Sequence, residues 1–403
     1  MNCIIISPNF PDNFRFFSER LNSNGVTVLG IGDAPFDDLS DTLKSSLTEY
    51  YKVSTLEDYD QVYRAVAFFA HKYGKPDWLE SNNEYWLRQD ARLREEFNIT
   101  SGVMPDQLAS WQSKSAMKPV YKAAGIPCAR EHVVTDLQAA LAFIESIGGY
   151  PVFAKPDTGV GSSHTYRIEN DGDLAFFFED KPEGKYLMEE FIEGDICTYD
   201  AICNSAGEPL FESSYVCSSV ADTVNGNQEM MYFVLPDVPD QLREYGRKAL
   251  KGFNVSCRFV HFEFFRLKQA RKGLGKVGDY VALESNFRPA GGYSADMMNY
   301  AHSTDVYKIW ADMVTSDTRT LPQNGLERYC IFAGKKDFNV HHHDDSQILE
   351  RYGDAVKLHG RMPDVLADAM GNQMYIAVFD TYEEVIEFGD YVMEEFVPEF
   401  LKY

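Results

Sequence analysis

Two segments in the middle of the chain constrain its fold most. RFVHFEFF (258–265) and YVALESNFRPAGG (280–292) alternate polar and apolar residues with a period of two, the repeat of a β-strand. On the first, His261 and Glu263 share one face while Phe262 and Phe264 point the other way. On the second, Glu284, Asn286 and Arg288 share a face opposite Leu283, Ser285 and Phe287. Apolar flanks on both strands imply a buried sheet, where acids without a cation are costly. An acid on one strand and E-x-N-x-R on the next gather hard oxygen donors and a guanidinium in one patch. Mg²⁺ takes that kind of site: one or two carboxylates, an amide oxygen, and positions left for water and phosphates. An arginine two residues on suits an anionic substrate or a transferring phosphoryl group. The competing reading is a surface ladder in which Glu284 pairs with Arg288.

A third segment, PVFAKPDTGVGSSHTYRI (151–168), reads as strand, glycine-rich turn and returning strand. Gly159 and Gly161 let backbone approach a ligand, and the N–H groups around Ser162 and Ser163 suit phosphate oxygens. Lys155 closes the incoming strand and delivers a cation to the same place. No Gly-Lys-Ser/Thr opens a helix here, so it is not a Walker A loop, and His164 stands where GxGxxG would end. In YLMEEFIEGD (186–195) an apolar strand runs into an acidic turn, and Glu189 and Glu190 straddle backbone that a purine would meet. Taken alone, that turn reads as an edge strand ending in a solvated loop.

The N-terminus alternates strands (2–7, 26–31) with helical spacing (12–22, 59–73), the rhythm of a small open parallel sheet. Its first turn, SPNFPDNF, has no glycine, which removes the GxGxxG that a dinucleotide-binding fold needs there. A helix is expected over 107–124, strand-rich antiparallel structure over 185–270, and a closing acidic helix from Tyr382 to Phe396. Expected domains are 1–106 (open parallel α/β), 107–320 (a small lobe to about 185, then a large lobe) and 321–403.

Charge narrows the partners. Against 38 Lys and Arg stand 62 Asp and Glu, a formal charge of −24, and such a surface repels phosphate backbones and anionic lipid. No nucleic acid and no membrane is therefore expected. The opening MNCIIISPNF lacks a basic leader and reads as a first strand, and no run approaches the roughly 18 apolar residues of a spanning helix. Seven scattered cysteines without a CxxC pair suit reduced thiols in a cytoplasm.

At these residues the chain resembles the ATP-grasp superfamily of carboxylate–amine ligases, similar to biotin carboxylase, D-alanine–D-alanine ligase and L-amino-acid ligases. The resemblance covers roughly residues 107–310. It implies an α/β and α+β architecture with an N-terminal parallel domain, a two-lobed ATP-grasp domain and a C-terminal lid. It further implies ATP and Mg²⁺ (or Mn²⁺) as cofactors. By position, Lys114 and Lys155 match the two nucleotide lysines, and Gly159, Gly161, Ser162 and Ser163 the phosphate loop. Glu189, Glu190, Phe191 and Ile192 match the adenine hinge. Glu263, Glu284 and Asn286 match the metal ligands, and Arg288 the arginine that holds the acyl-phosphate oxygens, so that the resemblance implies Arg288 and Lys155 as the catalytic residues. Many relatives hold the ribose with an acid at the position of Ile196; here Asp195, one residue earlier, takes that place. The activity implied is ADP-forming ligation of a carboxylate to an amine, on small-molecule substrates, with room for a homodimer. Two alternatives stay open: a hydrogencarbonate-activating, biotin carboxylase-like enzyme, and a nucleotide-binding subunit without turnover.

Other residues invite chemistry less strongly. His341, His342 and His343 are consecutive, so their side chains diverge and a polar loop is the expected reading. His261 reads equally as a supporting partner of Glu263 or a satisfied sheet histidine. Glu80 and Glu84 follow a strand of the first domain and either face the cleft or, as is commoner, are solvated loop acids; Arg258 either contacts the substrate or, as is commoner, caps a sheet edge.

Overall fold

The computed structural model describes residues 1–159, 164–217, 229–322 and 325–394, and its strands form three sheets. The first is parallel, with β1 (Asn2–Ile6), β2 (Thr27–Gly32), β3 (Glu49–Lys52) and β4 (Trp78–Glu80) in the order β3-β2-β1-β4. Helix Arg15–Ser23 buries Phe17 and Leu21, and helix Tyr59–Tyr73 buries Val62, Ala65, Val66 and Phe69. Asp58 starts the latter by accepting hydrogen bonds from the N–H groups of Asp60 and Gln61, which otherwise lack partners at a helix start. Because β1 and β4 are parallel neighbours, the loops that follow them leave the same edge of the sheet.

The second sheet is antiparallel, with β5 (Glu131–Val133), β6 (Val152–Pro156), β7 (Tyr166–Ile168) and β8 (Tyr186–Glu190) in the order β5-β8-β6-β7. Helices Leu137–Ile147 and Asp171–Asp180 back it, burying Ile144, Leu174 and Phe177 against Val152, Ala154 and Ile168.

The third sheet joins nine strands. They are β9 (Gly194–Cys203), β10 (Pro209–Ser213), β11 (Tyr215–Cys217), β12 (Met230–Val234), β13 (Arg258–Leu267), β14 (Tyr280–Asn286), β15 (Tyr329–Lys335), β16 (Val356–Arg361) and β17 (Gln373–Phe379). Their order is β14-β13-β9-β11-β12-β15-β17-β16, with β10 on β9. Strands of the C-terminal segment thus extend the sheet that carries β13 and β14. Helix Tyr382–Met393 closes the described chain; Glu395 and Phe396, expected to continue it, lie outside the described residues. No described helix is long and apolar enough to cross a membrane.

Two expectations need correction. The helix over 107–124 is two helices, Leu108–Gln112 and Lys114–Ala123, broken at an extended Ser113. Ser113 donates to Asp157 Oδ2 (2.7 Å) and accepts from Ala116 N–H, so Lys114 becomes the first residue of a new helix. The strict alternation over 280–288 also fails. Glu263 pairs with Glu284 but Phe264 pairs with Ala282, a β-bulge that leaves Leu283 unopposed. The extra residue turns Leu283 toward the same cleft as Glu284.

Candidate active site

A cleft of about 1270 Å³ lies between the second and third sheets. The floor is built by β13 and β14, where Glu263 and Glu284 are direct Cα partners and His261 stands opposite Asn286. Phe262 and Phe264 point away into the core, 0% and 1% exposed, so the alternation of β13 drives its polar residues into the cleft. His261 Nδ1 lies 2.9 Å from Asp200 Oδ1 and its Nε2 3.1 Å from Glu263 Oε1, a carboxylate–imidazole–carboxylate chain that orients Glu263. Burial favours neutral imidazole, yet Asp200 and Glu263 outweigh it and raise His261 to about 9. Burial likewise pushes the Glu263 carboxyl up, but the hydrogen bond from His261 brings it net below its ordinary value.

Three lysines face these acids. Lys114 Nζ stands 3.1 Å from Glu284 Oε1 and donates to Gly159 O at 3.1 Å, tying the glycine-rich turn to the metal-like patch. Lys155, at the end of β6, places Nζ 2.7 Å from Glu189 Oε2, and Lys118 pairs with the other oxygen of the same carboxylate. Burial alone would raise Glu189, but Lys118 and Lys155 hold it down to about 2. The carboxylate in turn keeps Lys155 charged despite its burial, with its pKa net above the ordinary value. Gly159 adopts φ +125°, a conformation that costs other residues strain. Gly161, Ser162 and Ser163 lie outside the described residues.

Along the hinge, Glu190 is locked by Arg130 (Nη2 to Oε2, 2.7 Å) and Arg271 (Nε to Oε2, 3.1 Å). Its carboxylate is therefore spoken for, and the hinge offers a ligand backbone and the side chains of Phe191 and Ile192, both lining the cleft. Arg167 lies over the Phe191 ring at 4.6 Å. Asp195 turns aside to Lys268 (2.6 Å); Glu193, Ile196 and Lys268 line the cleft instead.

Arg288 lines the far side of the acids, and no bond to Glu284 forms, which removes the surface-ladder reading: Glu284 pairs with Lys114. Its Nη1 donates to Pro289 O (2.8 Å) and its Nε lies 3.9 Å from Glu84 Oε2. Glu84 and Glu80 are not solvated loop acids. The Glu84 side chain is 11% exposed, its Oε2 is buried without a hydrogen bond, and burial raises its pKa against the pull of Arg288. Glu80 is 2% exposed and bound by Arg258 Nη1 (2.7 Å) and Arg94 Nη2 (2.9 Å). Nor is Arg258 an edge cap. It is buried, and its Nε donates to Phe287 O at 2.5 Å, between Asn286 and Arg288. The N-terminal sheet thereby grips the strand end that carries both residues.

Lys118, Arg167, Tyr215, Tyr232 and Met370 also line the cleft and were not anticipated. Lys118 was readable as the i+4 partner of Lys114 on one helix face; the rest carry no motif. The histidine run does not converge. His341 Nε2 pairs with Glu229 (2.7 Å) while His343 pairs with Glu394 (3.1 Å) and stacks on Tyr391, as a polar loop does.

The donor set on β13 and β14 fits Mg²⁺ or Mn²⁺: two facing carboxylates and an amide, all hard oxygen, with one acid oriented by His261.

No protein-family model and no curated protein matches this sequence. Solved structures do match its shape. An L-amino acid ligase from Bacillus licheniformis superposes with a TM-score of 0.72 at 14% identity, over 96% of this chain and 95% of that one. N5-carboxyaminoimidazole synthetase from Staphylococcus aureus gives 0.69 at 17%, over 96% and 95%. The biotin carboxylase domain dimer of Hydrogenobacter thermophilus 2-oxoglutarate carboxylase, in complex with MgADP and hydrogencarbonate, gives 0.69 at 16%, over 95% and 87%. The chain has the ATP-grasp fold. The ATP-grasp match spans nearly the whole chain, including the N-terminal parallel sheet and the C-terminal strands.

Proposed function

We propose that this ATP-grasp chain is an ADP-forming ligase that joins a carboxylate to an amine. The observation that carries the reading is the opposition, across one cleft, of Glu263, Glu284 and Asn286 to Lys114 and Lys155, with Arg288 at the border. Lysines and hard oxygen donors gathered in one cleft suit the phosphates of a nucleoside triphosphate and the metal that accompanies them. In the same reading the ligase divides into domains 1–106, 107–320 and 321–403 and works on small molecules in the cytoplasm.

Lys114 and Lys155 would bind the phosphates nearest the nucleoside, with Phe191 and Ile192 at the adenine. Glu263, Glu284 and Asn286 would hold Mg²⁺ or Mn²⁺, which when bound offsets phosphate charge and acts as a Lewis acid. Arg288 pairs with the substrate carboxylate and sets one oxygen in line with the γ-phosphorus. That oxygen attacks, the bond to the β-phosphate oxygen breaks, and ADP leaves with the electron pair. Lys155 stays protonated throughout, so it steadies charge and takes no proton. The amine nitrogen then attacks the acyl carbon, phosphate departs, and the nitrogen loses a proton. Most of the rate would come from orientation and fixed positive charge around crowded oxygens.

Incubation with ATP, Mg²⁺, pooled carboxylates and hydroxylamine tests this. Hydroxamate and ADP in equal amounts are expected. ATP binding without ADP release under any pool would leave a binding subunit. ADP release with hydrogencarbonate alone, stimulated by biotin, would make it the carboxylase-like enzyme.

A further inference from the structure

The cleft does not end at the acids. Five strands face it in the order β14-β13-β9-β11-β12, and their character changes along the way. β14 and β13 contribute Glu284, Asn286, His261 and Glu263. β11 and β12 contribute Tyr215, Cys217, Met230 and Tyr232. From β13 to β12 is three strand spacings, about 14 Å at about 4.8 Å each. Tyr215 is the boundary: its ring stacks on His261 at 5.6 Å on one side and meets Tyr232 at 5.3 Å on the other.

Two further elements wall this end. The loop after Arg288 brings Gly291, Gly292 and Ser294, and helix Asp364–Met370 brings Ala369 and Met370. Gly292 has φ +61°, and a Cβ there would stand 2.5 Å from the Met370 methyl, so bare backbone admits the thioether. Asn13 Nδ2 donates to Gly292 O at 3.0 Å, fixing that loop from the N-terminal side. The helix is seated just as tightly. Gly371 ends it at φ +88°, 2.6 Å from the Gly334 backbone counted from a would-be Cβ. Met370 is therefore held in place rather than loosely draped.

Among the described residues, none of Tyr215, Met230, Tyr232, Gly292, Ala369 and Met370 at this end carries a charge. A charged group placed among these residues would exchange its hydration for little more than the hydroxyls of Tyr215, Tyr232 and Ser294, which is costly, whereas each buried methylene gains about fourfold in binding. Arg288 opens the wall loop, so the body of whatever carboxylate it holds lies within reach of Gly292 and Met370.

We propose, on the ligase reading above, that this end receives an apolar body attached to the activated carboxylate. The substrate class is then carboxylic acids with an uncharged aliphatic, thioether or aromatic chain, and Met370 sets the chain length.

Hydroxamate formation measures this without knowledge of the natural amine. Purified full-length protein would be assayed with ATP, Mg²⁺ and hydroxylamine. One series runs from propanoate to hexanoate, 4-(methylthio)butanoate and 3-phenylpropanoate; the other holds glutarate and 4-aminobutanoate. In the wild type, kcat/KM is expected to climb about fourfold per methylene and to favour the apolar series over its charged counterparts at least tenfold. Met370→Ala is expected to move the optimum to longer chains and Met370→Phe to shorter ones, opposite shifts that a general loss of folding does not produce. Equal efficiency in the two series, or an optimum that neither variant moves, overturns the proposal while leaving the ligase standing. Absence of hydroxamate from every acid, with ATP still bound, overturns the ligase reading and this one with it.

Discussion

Glu263 and Glu284 face each other as Cα partners on adjacent antiparallel strands, with Leu283 squeezed out of register immediately beside them. Directly opposed like charges are unfavourable on a sheet. Here each has its own cationic partner: Glu263 takes His261, and Glu284 takes Lys114. Such a pair invites a divalent cation, because the ion neutralises both acids at once.

Glu284→Gln is accordingly expected to abolish ADP release while leaving the fold intact. The change keeps the shape and a polar contact to Lys114, so the thermal midpoint should move by no more than a few degrees. EDTA should stop the wild-type reaction, and Mg²⁺ or Mn²⁺ should restore it. Full turnover by the Gln variant would remove Glu284 from the metal set.

Glu189 gives a pH dependence of stability. Burial pushes this carboxyl up, but Lys118 and Lys155 win and bring it from its ordinary 4.5 to about 2. A folded-state pKa below the unfolded one contributes stability that is complete above about pH 4.5 and lost as the pH falls toward 2. Urea unfolding between pH 7 and pH 2.5 should show this decline. Glu189→Gln should flatten it and cost about 3–5 kcal/mol at pH 7 by stranding two buried lysines. An unaltered slope in the variant would mean that other carboxylates carry the acid sensitivity.

Much of this arrangement was legible in the residues, for definable reasons. Period-two patterning placed His261 with Glu263 and, apart from the bulge at Leu283, placed β14 correctly, because a one-residue slip would bury charge. Lys155 and the turn at Gly159 were legible through glycine and strand chemistry. For Glu80, Glu84 and Arg258 the surface reading outweighed the cleft reading, because burial of a charge depends on a partner far off in sequence. Glu80 and Arg258 are 178 positions apart, and no local pattern records that pairing. The break at Ser113 was missed for the same reason, since the side chain that fixes this capping serine is Asp157, 44 positions away. The apolar end of the cleft depends on Tyr232, Gly292 and Met370 meeting from three separate segments.

Glu84 is expected to help set the pose of Arg288. Its Oε2 is buried, lacks a hydrogen bond and stands 3.9 Å from Arg288 Nε, close enough to orient the guanidinium by charge without saturating it. Glu84→Gln keeps the volume and removes the anion. A misplacement of under an ångström in such a group costs about ten- to a hundredfold. That loss is expected in kcat/KM for the carboxylate, with KM for ATP unchanged. A loss shared equally by both substrates would point to a general structural role instead.

Arg258 couples the N-terminal sheet to the strand end beside Asn286 and Arg288. It is 2% exposed, bonded to both oxygens of Glu80 (2.7 and 3.2 Å) and to Phe287 O (2.5 Å), with Trp111 stacked on Phe287 at 3.9 Å. Removing one partner of a buried ion pair costs about 3–5 kcal/mol, so Arg258→Met should lower unfolding stability by that order. Glu80→Gln should cost at least as much, because it takes the anion from two buried guanidiniums at once, Arg94 and Arg258. Combined, the two changes should fall short of the sum of their separate effects by about 1–3 kcal/mol, as contacting residues do. A purely structural strut would stop there. Because Arg258 also holds the carbonyl between Asn286 and Arg288, Arg258→Met should in addition raise the Mg²⁺ concentration needed for half-maximal turnover, measured well below the variant's melting temperature. An unchanged Mg²⁺ requirement in a folded Arg258→Met protein would confine the residue to holding the domains together.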